Sequence, residues 1–164
     1  MNELLLAGLV LLGITIFVIH WISYKYLKNK IVCRQKWDLN ICCGTTDGGG
    51  INADILQHSN VPNFILIKDI YNLPFDDGQF NNILCSHTIE HIEDPIRFDR
   101  ELRRIGQNIT YLLPPIWDIA ATFNVFEHKW LFLVVGTEYQ DLPDFWRLPF
   151  SEHIQNLIGQ RIKA

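Results

Sequence analysis

The sequence predicts an α/β protein: a mostly parallel sheet with flanking helices, preceded by one N-terminal transmembrane helix. Three observations carry that reading. Beyond residue 36 the chain alternates short apolar runs with turn signals rather than sustaining a helical period. Those runs are hydrophobic at consecutive positions, as in strands covered on both faces. Residues 4–22 form one apolar run whose single ionisable side chain is His20. The whole chain has 164 residues, 48% of them hydrophobic and 20% charged, with a mean hydropathy of +0.07. That composition excludes a disordered or low-complexity chain.

The apolar run is 19 residues long, about 28 Å as a helix at 1.5 Å per residue, close to the ~30 Å of a bilayer's hydrocarbon. Trp21, Tyr24 and Tyr26 follow where an aromatic belt would lie, then Lys25, Lys28, Lys30, Arg34 and Lys36. Only Glu3 is charged on the other side, so the positive-inside rule puts residues 25–164 on the cytoplasmic side. A cleaved signal peptide would want a basic segment before the run and small residues after it, and neither is found. The expected division is an anchor with its basic flank over 1–30 and a soluble domain over 37–164, with the lipid bilayer as partner of residues 4–24. Residues 1–36 carry five Lys/Arg against one Glu, and residues 37–164 nine against seventeen Asp/Glu, a net −8. Such a domain lacks the clustered cations of phosphate-backbone binding, so nucleic acid is not an expected partner. Cys33, Cys42, Cys43 and Cys85 have no C-x-x-C spacing and read as buried free thiols.

Strands are expected at Trp37–Cys43, Ile51–Ile55, Asn63–Lys68, Asn81–Cys85 and Asn108–Leu113, with a further one at Trp130–Val135. Thr45–Gly50 holds three consecutive glycines and reads as a loop. Ile96, Phe98, Leu102 and Ile105 have helical spacing, which predicts a helix over Pro95–Ile105 with Asp94 as its cap and Pro95 in its first turn. Ser151–Arg161 predicts a last helix. Trp117–Trp146 is dense in aromatics, suited to a core under long loops, an acceptor pocket or a membrane surface.

Parallel α/β sheets bind ligands at the C-terminal ends of their strands. There the sequence places Cys43-Gly44-Thr45, Asp54, Asp69 and Ser86-His87. A glycine after the first strand lets a ligand approach the backbone, and an acid ending the second can accept both hydroxyls of a ribose.

In that order the residues resemble a class I S-adenosylmethionine-dependent methyltransferase of the short-loop, methyltransferase type 11-like subgroup. LNICCGTT (39–46) is similar to the family's first glycine motif, and INADI (51–55) to the segment holding its ribose-binding acid. KDIYNLPFDDGQFNNILCSHTIEHIEDP (68–95) resembles its D-x-x-x-LPF stretch followed by S-H-x-x-E-H, and RELRRIGQNITYLLPP (100–115) its next helix and strand. The resemblance implies a Rossmann-like fold and S-adenosyl-L-methionine as cofactor. It implies that Cys43, Gly44 and Thr45 face the ribose and methionine portion, that Asp54 binds the ribose hydroxyls, and that Asp69 and Ile70 flank the adenine. Ser86 and His87 would border the point of transfer, with His87 or His91 as base. The methyl acceptor is not read from the sequence; a membrane-proximal one suits the anchor. Asn40, Cys42 and Thr46 depart from the first motif, where an acid and two glycines are usual.

Two other readings use the same residues. Erosion of the first motif suits a non-catalytic methyltransferase-like binding module tethered to the membrane. His87–His91 also matches H-x-x-E-H, a zinc-hydrolase pattern in which both imidazoles share one helical face and Glu90 is the base. That site needs a sustained helix and a third ligand, for which Glu101, Glu127 and Glu138 are the candidates. The strand ending at Cys85 and the turn at Asp94-Pro95 leave little room for such a helix, so no metal is expected.

Overall fold

Cys42 carries a left-handed backbone, φ +52°, and ends the first strand two residues after its centre. In the computed structural model, which describes residues 3–158, that strand is β1 (Leu39–Ile41). With β2 (Ile51–Asp54), β3 (Phe64–Leu66), β4 (Phe80–Ser86) and β5 (Gly106–Leu112) it makes a parallel sheet ordered β3-β2-β1-β4-β5. The chain runs outward from β1 to β3, then crosses back to place β4 on the other side of β1, so strand order switches between β1 and β4. The five strands match the expected ones with trimmed or shifted ends, except that β4 extends one residue beyond the expected strand on each side.

The connection from β1 to β2 has nine residues, 42–50, shorter than the dozen or so a helical crossover needs. Side-chain hydrogen bonds replace the helix. The Asn40 amide donates to the Thr46 carbonyl at 2.8 Å and to Asn52 Oδ1 at 3.0 Å, and the Gly48 N–H donates to the same Oδ1 at 2.9 Å. Asn52 Nδ2 in turn donates to Asp47 Oδ1 and the Pro62 carbonyl. Both asparagines are buried. Only glycine fits at residue 50, where a Cβ would overlap the carbonyl oxygens of Trp37 and Asp38.

Helix α3 (Pro95–Ile105) forms where expected. Asp94 Oδ1 accepts from the Arg97 N–H at 2.9 Å, and Phe98, Leu102 and Ile105 are buried against the sheet, while Ile96 is exposed. Past β5 the chain departs further from the expectation. The apolar run at Trp130 gives only β6 (Trp130–Phe132), which leaves the main sheet and pairs antiparallel with β8 (Phe145–Arg147). The sixth strand of the main sheet is instead the two-residue β7 (Glu138–Tyr139), antiparallel to β5. α4 (Ile119–Thr122) is a single capped turn, and α5 (Ser151–Ile158) forms as expected, residues 159–161 of that expected helix lying outside the described ones. The aromatic segment divides: Phe132 is buried and Trp130 packs edge-on against Phe145, whereas Trp117, Phe123, Phe126 and Trp146 are exposed.

At the N-terminus α1 (Glu3–Trp21) is a helix with no buried residue, long and apolar enough to cross a membrane. It continues without a break through a π-helical segment, Ile22–Leu27, into α2 (Lys28–Val32), so the basic flank is helical too. α2 is fastened to the sheet: Trp37 Nε1 donates to the Val32 carbonyl at 2.9 Å, and Val32, Trp37, Leu84 and Leu112 form one buried cluster. All four cysteines are free; Cys43 and Cys85 are buried, but Cys33 is exposed, because the chain leaves α2 on the solvent side. Burial pushes the Cys43 thiol up to about 11.

Replacing Asn52 by alanine strips partners from the Gly48 N–H and the Asn40 amide. Asn52→Ala is expected to cost roughly 2–3 kcal/mol, the penalty of leaving such groups buried and unpaired, and equilibrium urea unfolding reads it directly.

Candidate functional site

Each strand-end residue singled out in the sequence stands at the C-terminal edge of the parallel sheet, on either side of the β1/β4 switch. Gly44 has φ +55°, and a Cβ there would meet nothing within 4 Å. Its N–H donates to Asp54 Oδ2 at 2.9 Å, while the Ile55 N–H donates to Oδ1 at 2.7 Å. These two bonds fix the carboxylate of Asp54 at the end of β2, and each oxygen keeps a further lone pair. Cys43, buried, is tied to β2 through its N–H to the Ala53 carbonyl at 3.2 Å; Thr45 is exposed in the loop. Asp69 is exposed after β3 and accepts from the Tyr71 N–H at 2.8 Å, so it caps its own turn. Ile70 belongs to the hydrophobic core.

At the end of β4, Ser86 is buried with an unpartnered Oγ, and His87 has a left-handed backbone, φ +51°. Residues with that strain persist where surrounding contacts hold them; here the His87 N–H donates to the Leu112 carbonyl at 2.9 Å. Residues 87–94 form turns, not a helix. The zinc-hydrolase arrangement, two imidazoles on one helical face, is therefore overturned, because the left-handed turn at His87 breaks the chain direction where that helix would begin. Of its three supposed third ligands, Glu101 pairs with Arg104 and Glu138 with Arg34. Glu127 lines the same cavity as the histidines, but its carboxylate accepts from the Asn124 amide at 3.0 Å and its carbonyl from His91 Nδ1 at 3.0 Å.

The turn instead aims Glu90 inward. It is fully buried and neither carboxylate oxygen has a hydrogen-bond partner; His87 Nδ1 stands 3.5 Å from Oε1, an ion-pair distance too long for a good hydrogen bond. Burial works to raise this carboxyl, but His87, with the charges of His91 and His128, outweighs it and holds the group down at about 2. His128 was not singled out in the sequence, and no motif marks it. It is buried, stacks edge-on against His91 with ring centroids 4.7 Å apart, and burial drives its imidazole down to about 4 despite the Glu90 charge.

These groups line a cavity of about 280 Å³ together with His20 and Tyr24 of the N-terminal helix. His20 Nδ1 lies 3.2 Å from both carboxylate oxygens of Asp118, the residue whose side chain caps α4. The Tyr24 ring covers His87 at 5.1 Å between centroids.

Residues 50–112, from the start of β2 to the end of β5, match the model of a methyltransferase domain family. That stretch holds Asp54, Asp69, Ser86, His87 and His91, and leaves Gly44 and His128 outside. The match bears out the resemblance read from the sequence and supports S-adenosyl-L-methionine as the cofactor. No curated protein matches the sequence. Among solved structures, a SAM-dependent methyltransferase from Aquifex aeolicus is similar at 12% identity and a TM-score of 0.39, over 51% of this chain and 62% of that one. A protein from Pyrococcus horikoshii OT3 is similar at 17% identity and a TM-score of 0.42, over 83% of this chain and 79% of that one. The chain thus spans about three fifths of the Aquifex protein's length.

Gly44 tests the backbone at this edge. A Cβ has room, so Gly44→Ala is expected to cost only the left-handed conformation, about 1–2 kcal/mol, seen as a lower urea midpoint at unchanged slope.

Proposed function

Residues 50–112 being a methyltransferase-family segment, we propose that the protein is a membrane-anchored S-adenosylmethionine-dependent methyltransferase acting on an acceptor close to the membrane. The observation that carries this reading is the Gly44–Asp54 hydrogen bond at the strand-order switch. It presets a carboxylate for two ribose hydroxyls beside a glycine whose open side leaves room for the rest of the cofactor. Bound there, S-adenosylmethionine supplies an electrophilic sulfonium methyl. The chain's own residues then have three tasks. Asp54 and the Gly44 backbone hold the ribose and methionine portion, and Asp69 would stand at the adenine. Ser86 and His87 border the point of transfer at the end of β4, where alignment of acceptor and methyl provides most of the rate. His87 takes the acceptor's proton, and Glu90, 3.5 Å from its Nδ1, favours the resulting imidazolium.

Membrane attachment rests on α1, every residue of which lies outside the domain's core. α1 meets the domain at its last turn, through His20, and the π-helical segment that follows continues the contact through Tyr24. With α1 in the bilayer, exposed Ile119, Phe123 and Phe126 on and beside α4 would lie at the headgroups, next to the cavity. A second reading, a non-catalytic binding module, is favoured by one observation: Tyr24 covers the ring that would act as base.

Titration calorimetry of S-adenosylmethionine, or its demethylated product, into the full chain in detergent micelles is expected to show one saturable site. Asp54→Ala should weaken it by roughly 2–3 kcal/mol, about 30- to 150-fold in Kd, as charge-assisted bonds to the ribose are lost. No heat from folded protein favours the binding module, and an unchanged affinity removes Asp54 from the site. Separately, alkaline carbonate extraction of expressing membranes should leave the chain in the pellet; release into the supernatant overturns the spanning helix.

A further inference from the structure

We propose that Glu90, His91 and His128 form a binding site for one divalent transition-metal ion of the zinc class. Each residue offers one ligand atom, and these atoms lie within 4.8 Å of one another. The donor set, two imidazoles and a carboxylate, is one that zinc takes with an open coordination position.

Three features of the site point to a cation. First, Glu90 is fully buried with both carboxylate oxygens unpartnered. Among the described residues no lysine or arginine pairs with it, and His87 reaches only 3.5 Å. A buried anion of this kind needs a counter-charge at short range. Second, His91 Nδ1 lies 3.0 Å from the Glu127 carbonyl, which accepts the ring N–H and so leaves the Nε2 lone pair free. Ring orientation by a backbone carbonyl is the usual support of a metal-binding histidine. Third, the cluster opens on a cavity of about 280 Å³, so the ligands have room to close. At Zn–N and Zn–O lengths near 2.0–2.1 Å, a tetrahedral set has its ligand atoms about 3.3 Å apart. Closing from the present spacing takes side-chain shifts on the order of 1 Å, without moving the backbone.

This site differs from the helical H-x-x-E-H arrangement in both geometry and membership. His87 contributes no ligand atom to the cluster, and the third donor comes from 37 residues beyond His91, carried there by the turn between α4 and β6. The metal site shares Glu90 with the methyl-transfer reading but draws nothing from the Gly44–Asp54 end of it.

The test uses the full chain in detergent micelles, stripped with chelator and dialysed against Zn²⁺. Elemental analysis should find about one zinc per chain, and Co²⁺ in its place should give visible ligand-field bands of a low-coordinate N/O site. Glu90→Gln keeps the side chain's shape, and His128→Ala removes one ring; each should lower zinc affinity tenfold or more and abolish the cobalt bands. His58→Ala, on an exposed loop, should leave both unchanged. Folded chain without zinc overturns the proposal, and so does zinc retained at full affinity in Glu90→Gln or lost in Cys33→Ser. S-adenosylmethionine titrated into the same metal-free sample reads the cofactor site separately, so either can fail alone.

Discussion

The buried pair Asn40–Asn52 is the constraint on which the C-terminal edge of the sheet depends. A parallel connection of nine residues is too short for a helix, so the loop from β1 to β2 must take its hydrogen bonds from side chains. Asn40 and Asn52 supply them to Thr46, Gly48 and each other. Only with that loop drawn tight does Gly44 turn back to donate to Asp54. An acid at residue 40, usual in the family the chain resembles, would lack the amide that donates to the Thr46 carbonyl and would place a carboxylate against Asn52 Oδ1. The departure from the first motif is thus matched by the asparagine at 52. Cys42 is a different matter: it occupies a left-handed position where glycine is unstrained, and its partly buried side chain packs on the core in return.

A second constraint lies across the switch. Leaving β4, the chain turns left-handed at His87, and much of the turn's support comes through its backbone. The Glu90 carbonyl accepts from the Lys129 and Trp130 N–H groups, the Ile92 carbonyl from Trp130 Nε1, and the Tyr71 hydroxyl oxygen from the N–H groups of Glu93 and Asp94. This frees the Glu90 side chain from any structural duty, and it is the reason its carboxylate can sit buried without a hydrogen bond. Burial alone would disfavour the charge there, and the surrounding imidazoles outweigh that cost.

Legibility followed the range of the interaction. Asp94, Pro95 and the Phe98–Leu102–Ile105 spacing specify α3 locally, and the structure repeats them to the residue. The strand-end residues Gly44, Asp54, Ser86 and His87 were readable because strand ends follow from apolar runs and turns. His128 was not, since its partner His91 is brought to it by the loop between α4 and β6 and by nothing in its own neighbourhood. β7, two residues long, carries no periodicity to detect, and Trp130–Phe132 reads as a strand without revealing which sheet it joins. Ile70 and Asp69 are adjacent in sequence, yet one is core and the other solvent-facing, a distinction that alternation in a strand cannot supply after the strand has ended.

The N-terminal helix is legible as an apolar run, but its second role is not. Composition divides the chain between an apolar N-terminal segment and the remainder, whereas side chains from both sides of that division line one cavity. His20 meets the carboxylate of Asp118, which also caps α4 through the Ala121 N–H, so a single buried acid joins the apolar helix to the floor of the site. Four residues on, one helical turn further, Tyr24 reaches His87. The spacing matters because the π-helical segment begins between them, at Ile22, and its wider turn changes the direction in which Tyr24 projects. π-Helical turns are rare and are found mostly as single-turn bulges within α-helices. Here the widened turn delivers an aromatic ring to the one histidine at the end of β4, and with it the helical segment becomes a wall of the site.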